Sequence, residues 1–198
     1  ADGVLFKQSA STLTRVYGPK AHGGWVLQLA SISQPLRVST LFSSIAAMLG
    51  GAGQTNYSAV NTCLDALAAH SRARGRASVS VQWGAWAAIG MVSRGAASER
   101  MAAMEAAAGL GRIDVSLGLA ALHAAALPQA PSLLGVMPVQ WHRMLGGDAP
   151  VPAFLSDMAP RPAGVSVRST SAKKVDRVEC TVSLDAVLEL AARTAGST

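Results

Sequence analysis

Four side chains near the start of the chain carry groups that could act together: Lys20, Ser44, Tyr57 and Asn61. They supply a primary amine, a hydroxyl, a phenol and an amide. These are the groups needed to protonate a carbonyl oxygen while hydride arrives at its carbon. A tyrosine phenol is a weak acid near neutral pH, with an ordinary pKa of about 10. It exchanges protons there only beside a positive charge that favours the phenolate. An amine such as Lys20 would supply that charge, and a hydroxyl such as Ser44 a second hydrogen bond to the same oxygen. Taken singly, each residue has a plainer reading. Serine is a common turn residue, a tyrosine near a helix start usually packs, and a lone lysine is usually solvated. The case for chemistry rests on the set.

The set needs elements to position it. Residues 11–29 read as helical with a break near Gly18-Pro19, where proline suits the first turn of a second helix. Residues 38–42 read as a short buried strand that would deliver Ser44 from its end. The strongest helix spans residues 56–74. Val60, Leu64 and Leu67 recur on one face of it, and Gly75 stops it. Tyr57 and Asn61 lie four apart at its start and share a face. Residues 78–83 form the next strand, 98–108 and 116–127 alanine-rich helices, and 133–137 a last apolar strand. Strands alternating with helices predict an α/β fold with a parallel sheet. About three strands can be counted, where a doubly wound dinucleotide fold has two halves. The expected fold is therefore the C-terminal half of a Rossmann-like sheet.

Composition bounds the rest. Of 198 residues, 50% are hydrophobic and 14% charged, enough to bury a core. No apolar run is long enough to span a membrane, and no secretory signal is visible. Cys63 and Cys180 stand alone, and His22, His70, His123 and His142 show no ligand spacing, so no metal is expected. A reducing cytoplasmic setting, or an organellar one, fits that cysteine usage. The net charge is +6. Its densest cluster, Arg72, Arg74 and Arg76, sits at the end of the best helix, where cations complement the helix dipole. Without interleaved aromatics it does not read as a nucleic-acid surface. Gly51-Ala52-Gly53 opens like a phosphate-binding motif, but Asn56 stands where the last glycine is needed, so it reads as a turn. Residues 146–175 are rich in Pro, Ala and Ser and read as a linker. Helical spacing returns at 183–193, with Ser183 as N-cap.

The three stretches Gly18-Pro19-Lys20-Ala21-His22-Gly23-Gly24-Trp25, Leu41-Phe42-Ser43-Ser44-Ile45-Ala46 and Gly53-Gln54-Thr55-Asn56-Tyr57-Ser58-Ala59-Val60-Asn61 resemble the ketoreductase domain of modular polyketide synthases. That domain is a branch of the short-chain dehydrogenase/reductase family. In the family, serine precedes tyrosine by the interval that separates Ser44 from Tyr57. Polyketide ketoreductases place asparagine four residues after the tyrosine and move the lysine upstream, as Asn61 and Lys20 stand here. Leu64-Asp65-Ala66-Leu67, Trp83-Gly84-Ala85-Trp86, Gly90-Met91 and Val136-Met137-Pro138-Val139-Gln140-Trp141 agree, and the resemblance covers residues 1–145. Residues 176–198 resemble the first helix of an acyl carrier domain.

The resemblance implies an NADPH-dependent reductase acting on a 3-oxoacyl thioester held on the phosphopantetheine of an acyl carrier domain. Tyr57 would donate the proton, Ser44 orient the ketone, Lys20 favour the phenolate, and Asn61 hold the helix and a relay water. Lys20, Tyr57, Trp83 and Gly84 would line the cofactor. Its phosphate-binding glycines would belong to an upstream half that partners this chain, beside the other synthase domains. Asp2, Leu49, Asn56 and Met91 would shape the substrate pocket. Asp2 matches the last residue of the Leu-Asp-Asp stretch of B-type enzymes, and Leu49 stands where A-type enzymes carry tryptophan. Ala1 and Ala52 depart from the B-type pattern. Two other readings are a non-catalytic fragment that folds only with the upstream half, and a redox-silent epimerising domain. The presence of all four catalytic positions argues against the latter.

Overall fold

The computed structural model describes residues 5–87 and 103–160. The chain divides into two compact units, Ala1–Met144 and Leu145–Thr198. The first unit is built on a three-stranded parallel sheet in the order β1-β2-β3, with β1 at Ser39–Ser44, β2 at Ser78–Trp83 and β3 at Leu133–Val136. Helix α1 (Ala10–Tyr17), a π-helical turn (Gly18–His22) and α2 (Gly23–Ala30) precede β1. Helices α3 (Ala46–Leu49) and α4 (Thr55–Ala73) connect β1 to β2. Helix α5 (Val115–Ala125) leads to β3, and α6 (Trp141–Met144) follows it.

Each boundary has a local cause. Ser9 and Thr12 close a capping box at α1, the Ser9 Oγ accepting from Thr12 N–H and the Thr12 Oγ1 from Ser9 N–H at 2.8 Å. Asp114 caps α5, its Oδ1 accepting from Leu117 N–H at 2.8 Å. Gly50 and Gly53, at φ 73° and 72°, make the turn that leads into α4. The expected break at Gly18-Pro19 is instead a π-helical turn. Both neighbouring helices continue through it without leaving helical backbone.

The core lies on one side of β2. Val79, Val81 and Trp83 point towards Ile113, Ala121, Ala125 and Val136. On the other side Val60, Leu64, Leu67 and Ala68 of α4 are buried, as the helical spacing anticipates. β2 is buried at all six positions. β1 differs from the buried strand expected: Phe42 is 54% exposed, because among the described residues β1 pairs only with β2 and its other edge is open. In the second unit, a 3-10 helix spans Ala153–Met158, within the segment expected to be a linker. The expected helices at 98–108 and 183–193 lie partly and wholly outside the described residues.

Gly118 sits where α5 passes beneath Trp86, and a Cβ built there would lie 2.2 Å from the indole. Alanine has a helix propensity better by about 1 kcal/mol, whereas overpacking costs about 1–3 kcal/mol. Trp86 itself packs at a tilt against Trp83, with ring centroids 5.2 Å apart, so it has little room to retreat. Gly118→Ala is therefore expected to destabilise the unit despite its propensity, seen as a lower denaturation midpoint by tryptophan fluorescence. An unchanged or raised midpoint would show that the indole moves freely.

Candidate active site

The topology brings the chemistry-bearing residues to one edge. β1 ends at Ser44, and α3 with its glycine turn carries the chain straight to the start of α4. The first turns of α4, with Tyr57 and Asn61, therefore lie beside the carboxyl end of the sheet. Ligands of open α/β sheets bind at that edge. The start of a helix also favours negative charge, as on an oxyanion.

Asn61 is the hub and is fully buried. Its Oδ1 accepts from the Lys20 ammonium at 2.6 Å, and its Nδ2 donates to the Tyr57 carbonyl at 2.7 Å. Its own carbonyl accepts from Ser43 Oγ at 3.2 Å. One residue thus ties the π-helical turn, the first turn of α4 and strand β1 together. The Lys20 ammonium lies 4.9 Å from the centre of the Tyr57 ring, a cation–π distance. The structure brings Lys20, Tyr57 and Asn61 into contact. It does not join Ser44 to them: the Ser44 hydroxyl accepts from Ala46 N–H at 3.3 Å, and no hydrogen bond among the described residues links it to Tyr57.

Trp83 ends β2 in register with Ser44. Its ring packs against Phe42 at 5.6 Å and against Trp86. Its buried indole N–H has no hydrogen-bond partner among the described residues. Gly84 donates to the Val136 carbonyl at 2.9 Å, and a Cβ there would press on Met137 at 3.0 Å. Leu49 is half-buried at the end of α3. Asn56 is buried, and its Oδ1 accepts from Tyr57 N–H at 2.8 Å. Asp2 and Met91 lie outside the described residues.

Sequence reasoning singled out Ser44 and passed over its neighbour Ser43, which faces α4 because side chains alternate along a strand. It also passed over Asp65, whose carboxylate accepts from Ser80 and Gln82. The signal was available: Asp65 lies four residues beyond Asn61, on the same helix face. A separate small hollow opens at the opposite end of the sheet, near Gln28, Gln34, Ser39 and Arg76. It is remote from the carboxyl edge and plays no part in the chemistry above. Among the described residues no cluster could hold a metal, and no helix is long and apolar enough to cross a membrane. The basic cluster is partly structural, Arg72 Nε donating to the Ser78 carbonyl at 2.9 Å.

The fold is that of the short-chain dehydrogenases. A short-chain dehydrogenase from Streptomyces avermitilis superposes with a TM-score of 0.51 at 20% identity, over 68% of this chain and 55% of that one. The site and the sequence narrow the class. Residues 1–88 match the KR domain family. The spectinabilin polyketide synthase system protein NorB of Streptomyces orinoci is 35% identical over 167 residues, 82% of this chain and 8% of that protein. The first ketoreductase of the tylosin polyketide synthase superposes with a TM-score of 0.62 at 33% identity, over 73% of this chain and 31% of that one. The ketoreductase from the first module of phoslactomycin biosynthesis, from a Streptomyces species, gives 0.63 at 31% identity, over 86% and 37%. Residues 1–88 are those of a ketoreductase domain of the modular polyketide synthase kind. The chain spans less than a tenth of the spectinabilin protein and about a third of each of these two ketoreductase structures.

Proposed function

We propose that this chain carries the proton-donating half of an NADPH-dependent β-ketoreductase, which converts a carrier-bound 3-oxoacyl thioester into the 3-hydroxyacyl thioester. The observation that carries this reading is the contact of Lys20 with both Asn61 and the Tyr57 ring. Bound NADPH supplies a hydride to the carbonyl carbon. Tyr57 delivers a proton to the carbonyl oxygen, so ketone, hydride and proton sum to the alcohol. Ser44, at the end of β1, hydrogen-bonds the same oxygen and orients it. Lys20 holds positive charge beside the Tyr57 ring. Asn61 holds Lys20 and the first turn of α4 and orders the water that reprotonates the site.

The residues present suit the nicotinamide end of the cofactor. Lys20 and Tyr57 offer polar groups at the carboxyl edge, and the unpartnered Trp83 indole N–H offers a donor beside Gly84. The phosphates fall to a partner half. The open edge of β1 and the exposed Phe42 beside it suit a further parallel strand, since parallel sheets are normally covered. The other partners in this reading are a phosphopantetheine-bearing acyl carrier domain, with residues 176–198 as the start of one, and the remaining synthase domains. Residues 1–145 form the reductase segment and 146–175 the linker. Asp2, Leu49, Asn56 and Met91 shape the acyl pocket.

The test uses the full polypeptide that carries this chain. A 3-oxoacyl thioester should consume NADPH in equal amount to the 3-hydroxyacyl thioester formed. Tight NADPH binding without any ketone reduction would overturn the reading.

A further inference from the structure

We propose that Asp65 is a positioning residue, which sets where Tyr57 stands over the carboxyl edge of the sheet; the proposal rests on Tyr57 being the proton donor. Its two carboxylate oxygens have separate partners on β2. Oδ1 accepts from Ser80 Oγ at 2.6 Å, and Oδ2 from Gln82 Nε2 at 2.8 Å. Ser80 and Gln82 are alternate residues on one face of β2, exposed by 0% and 4%. Among the described residues no cation pairs with Asp65; the ion pair present is Arg112–Glu105. The carboxylate is thus given over to two neutral donors on a single strand.

The placement is specific because the donors are spaced. Neighbours of like orientation on a strand lie about 6.5 Å apart. A carboxylate that bridges them fixes both the rotation of α4 and its position along β2. The apolar contacts of Val60, Leu64 and Leu67 have no such directionality. A second pin lies one helical turn nearer the helix start. Ser43 is the β1 partner of Gln82 in register, and it donates to the Asn61 carbonyl. Adjacent residues of β1 and β2 therefore hold α4 at Asn61 and at Asp65. Tyr57 is carried on the turn that projects beyond both pins, and Ser44 and Trp83 are the next residues on the two strands. A slip of α4 by a fraction of an ångström would move the phenol against Ser44, and misplacement of about 1 Å can cost on the order of a hundredfold in rate.

The test compares variants of the full polypeptide by kcat, KM and melting temperature. Asp65→Asn replaces one acceptor with a donor. It is expected to lower kcat about tenfold or more while changing KM for NADPH and thioester by no more than about twofold. Combining Asp65→Asn with Gln82→Glu reverses the donor and acceptor and keeps the Ser80 bond. That double variant is expected to regain most of the lost kcat. Gln82→Met, which removes one donor and keeps the Ser80–Asp65 bond, serves if Asp65→Asn does not fold; its kcat is expected to fall with KM unchanged. Normal kcat in a folded Asp65→Asn or Gln82→Met protein would overturn the proposal, as would failure of the double variant to recover. Tyr57→Phe is assayed alongside: normal turnover there would instead overturn the proton-donor reading itself.

Discussion

Replacing Tyr57 with phenylalanine is expected to lower ketone reduction at least about a hundredfold, the scale of losing a general acid. The aromatic ring survives the change, so the cation–π contact with the Lys20 ammonium survives with it. The Lys20–Asn61 and Asn61–Tyr57 backbone bonds do not involve the phenol oxygen and remain. The loss should therefore appear in kcat, with NADPH affinity, thioester KM and melting temperature near those of the parent. Stopped-flow NADPH oxidation on a 3-oxoacyl thioester provides the measurement. Turnover within about threefold of the parent would remove Tyr57 from the role of proton donor, since so small a change is under 1 kcal/mol of barrier.

The product is expected to be the D-configured 3-hydroxyacyl thioester, the B-type outcome, in large excess over its L partner. Leu49 and Asn56 lie on either side of the glycine turn that opens the site. Leu49 ends α3 and leaves no indole at the position where A-type enzymes carry one. The Asn56 Oδ1 fixes the first turn of α4 through Tyr57 N–H. In the proposed reading these groups would bias which end of the pocket admits the acyl chain, and so which ketone face meets the hydride. The solved relatives include both an A-type enzyme and a C2-type enzyme, so resemblance of fold does not select the configuration. Chiral chromatography of the product from the full polypeptide decides it. Predominant L product would overturn the B-type assignment and leave the reductase reading standing.

Helix α4 was legible because its apolar residues recur at helical spacing and Gly75, at φ 77°, gives it a stop that other residues rarely adopt. The shared face of Tyr57 and Asn61 followed from the same spacing. The surroundings of Asn61 were not legible. Its contacts with Lys20 and Ser43 join residues 41 and 18 positions apart, and periodicity reports only neighbours within one element. β2 shows the limit most clearly. Its alternation of Ser, Val, Ser, Val, Gln and Trp resembles a strand with one face in water, yet both faces are buried. The polar face is tolerated because Asp65 and Arg72 engage Ser80, Gln82 and the Ser78 carbonyl. Burial of β1 was overestimated for the converse reason. Its apolar residues are those of a covered strand, but the cover on one edge does not come from the described residues.

The π-helical turn at Gly18–His22 holds one more residue than an α-helical path between α1 and α2 would need. Each residue of an α-helix advances the direction of its side chain by about 100°. The extra residue therefore works as a phase offset between two segments that face the same neighbour. Ahead of the offset, Tyr17 meets Cys63; behind it, Gly24 lies against Leu64 and Gln28 donates to Ser71. Within the offset, Lys20 is aimed at Asn61. Deleting one residue of this turn other than Lys20 would restore an even winding and preserve the helical content. It would also place α1 and α2 out of step on α4, so that either the helix contacts or the direction of the ammonium must be given up. The direction from which this amine approaches the Tyr57 ring thus begins with residue count along a helix.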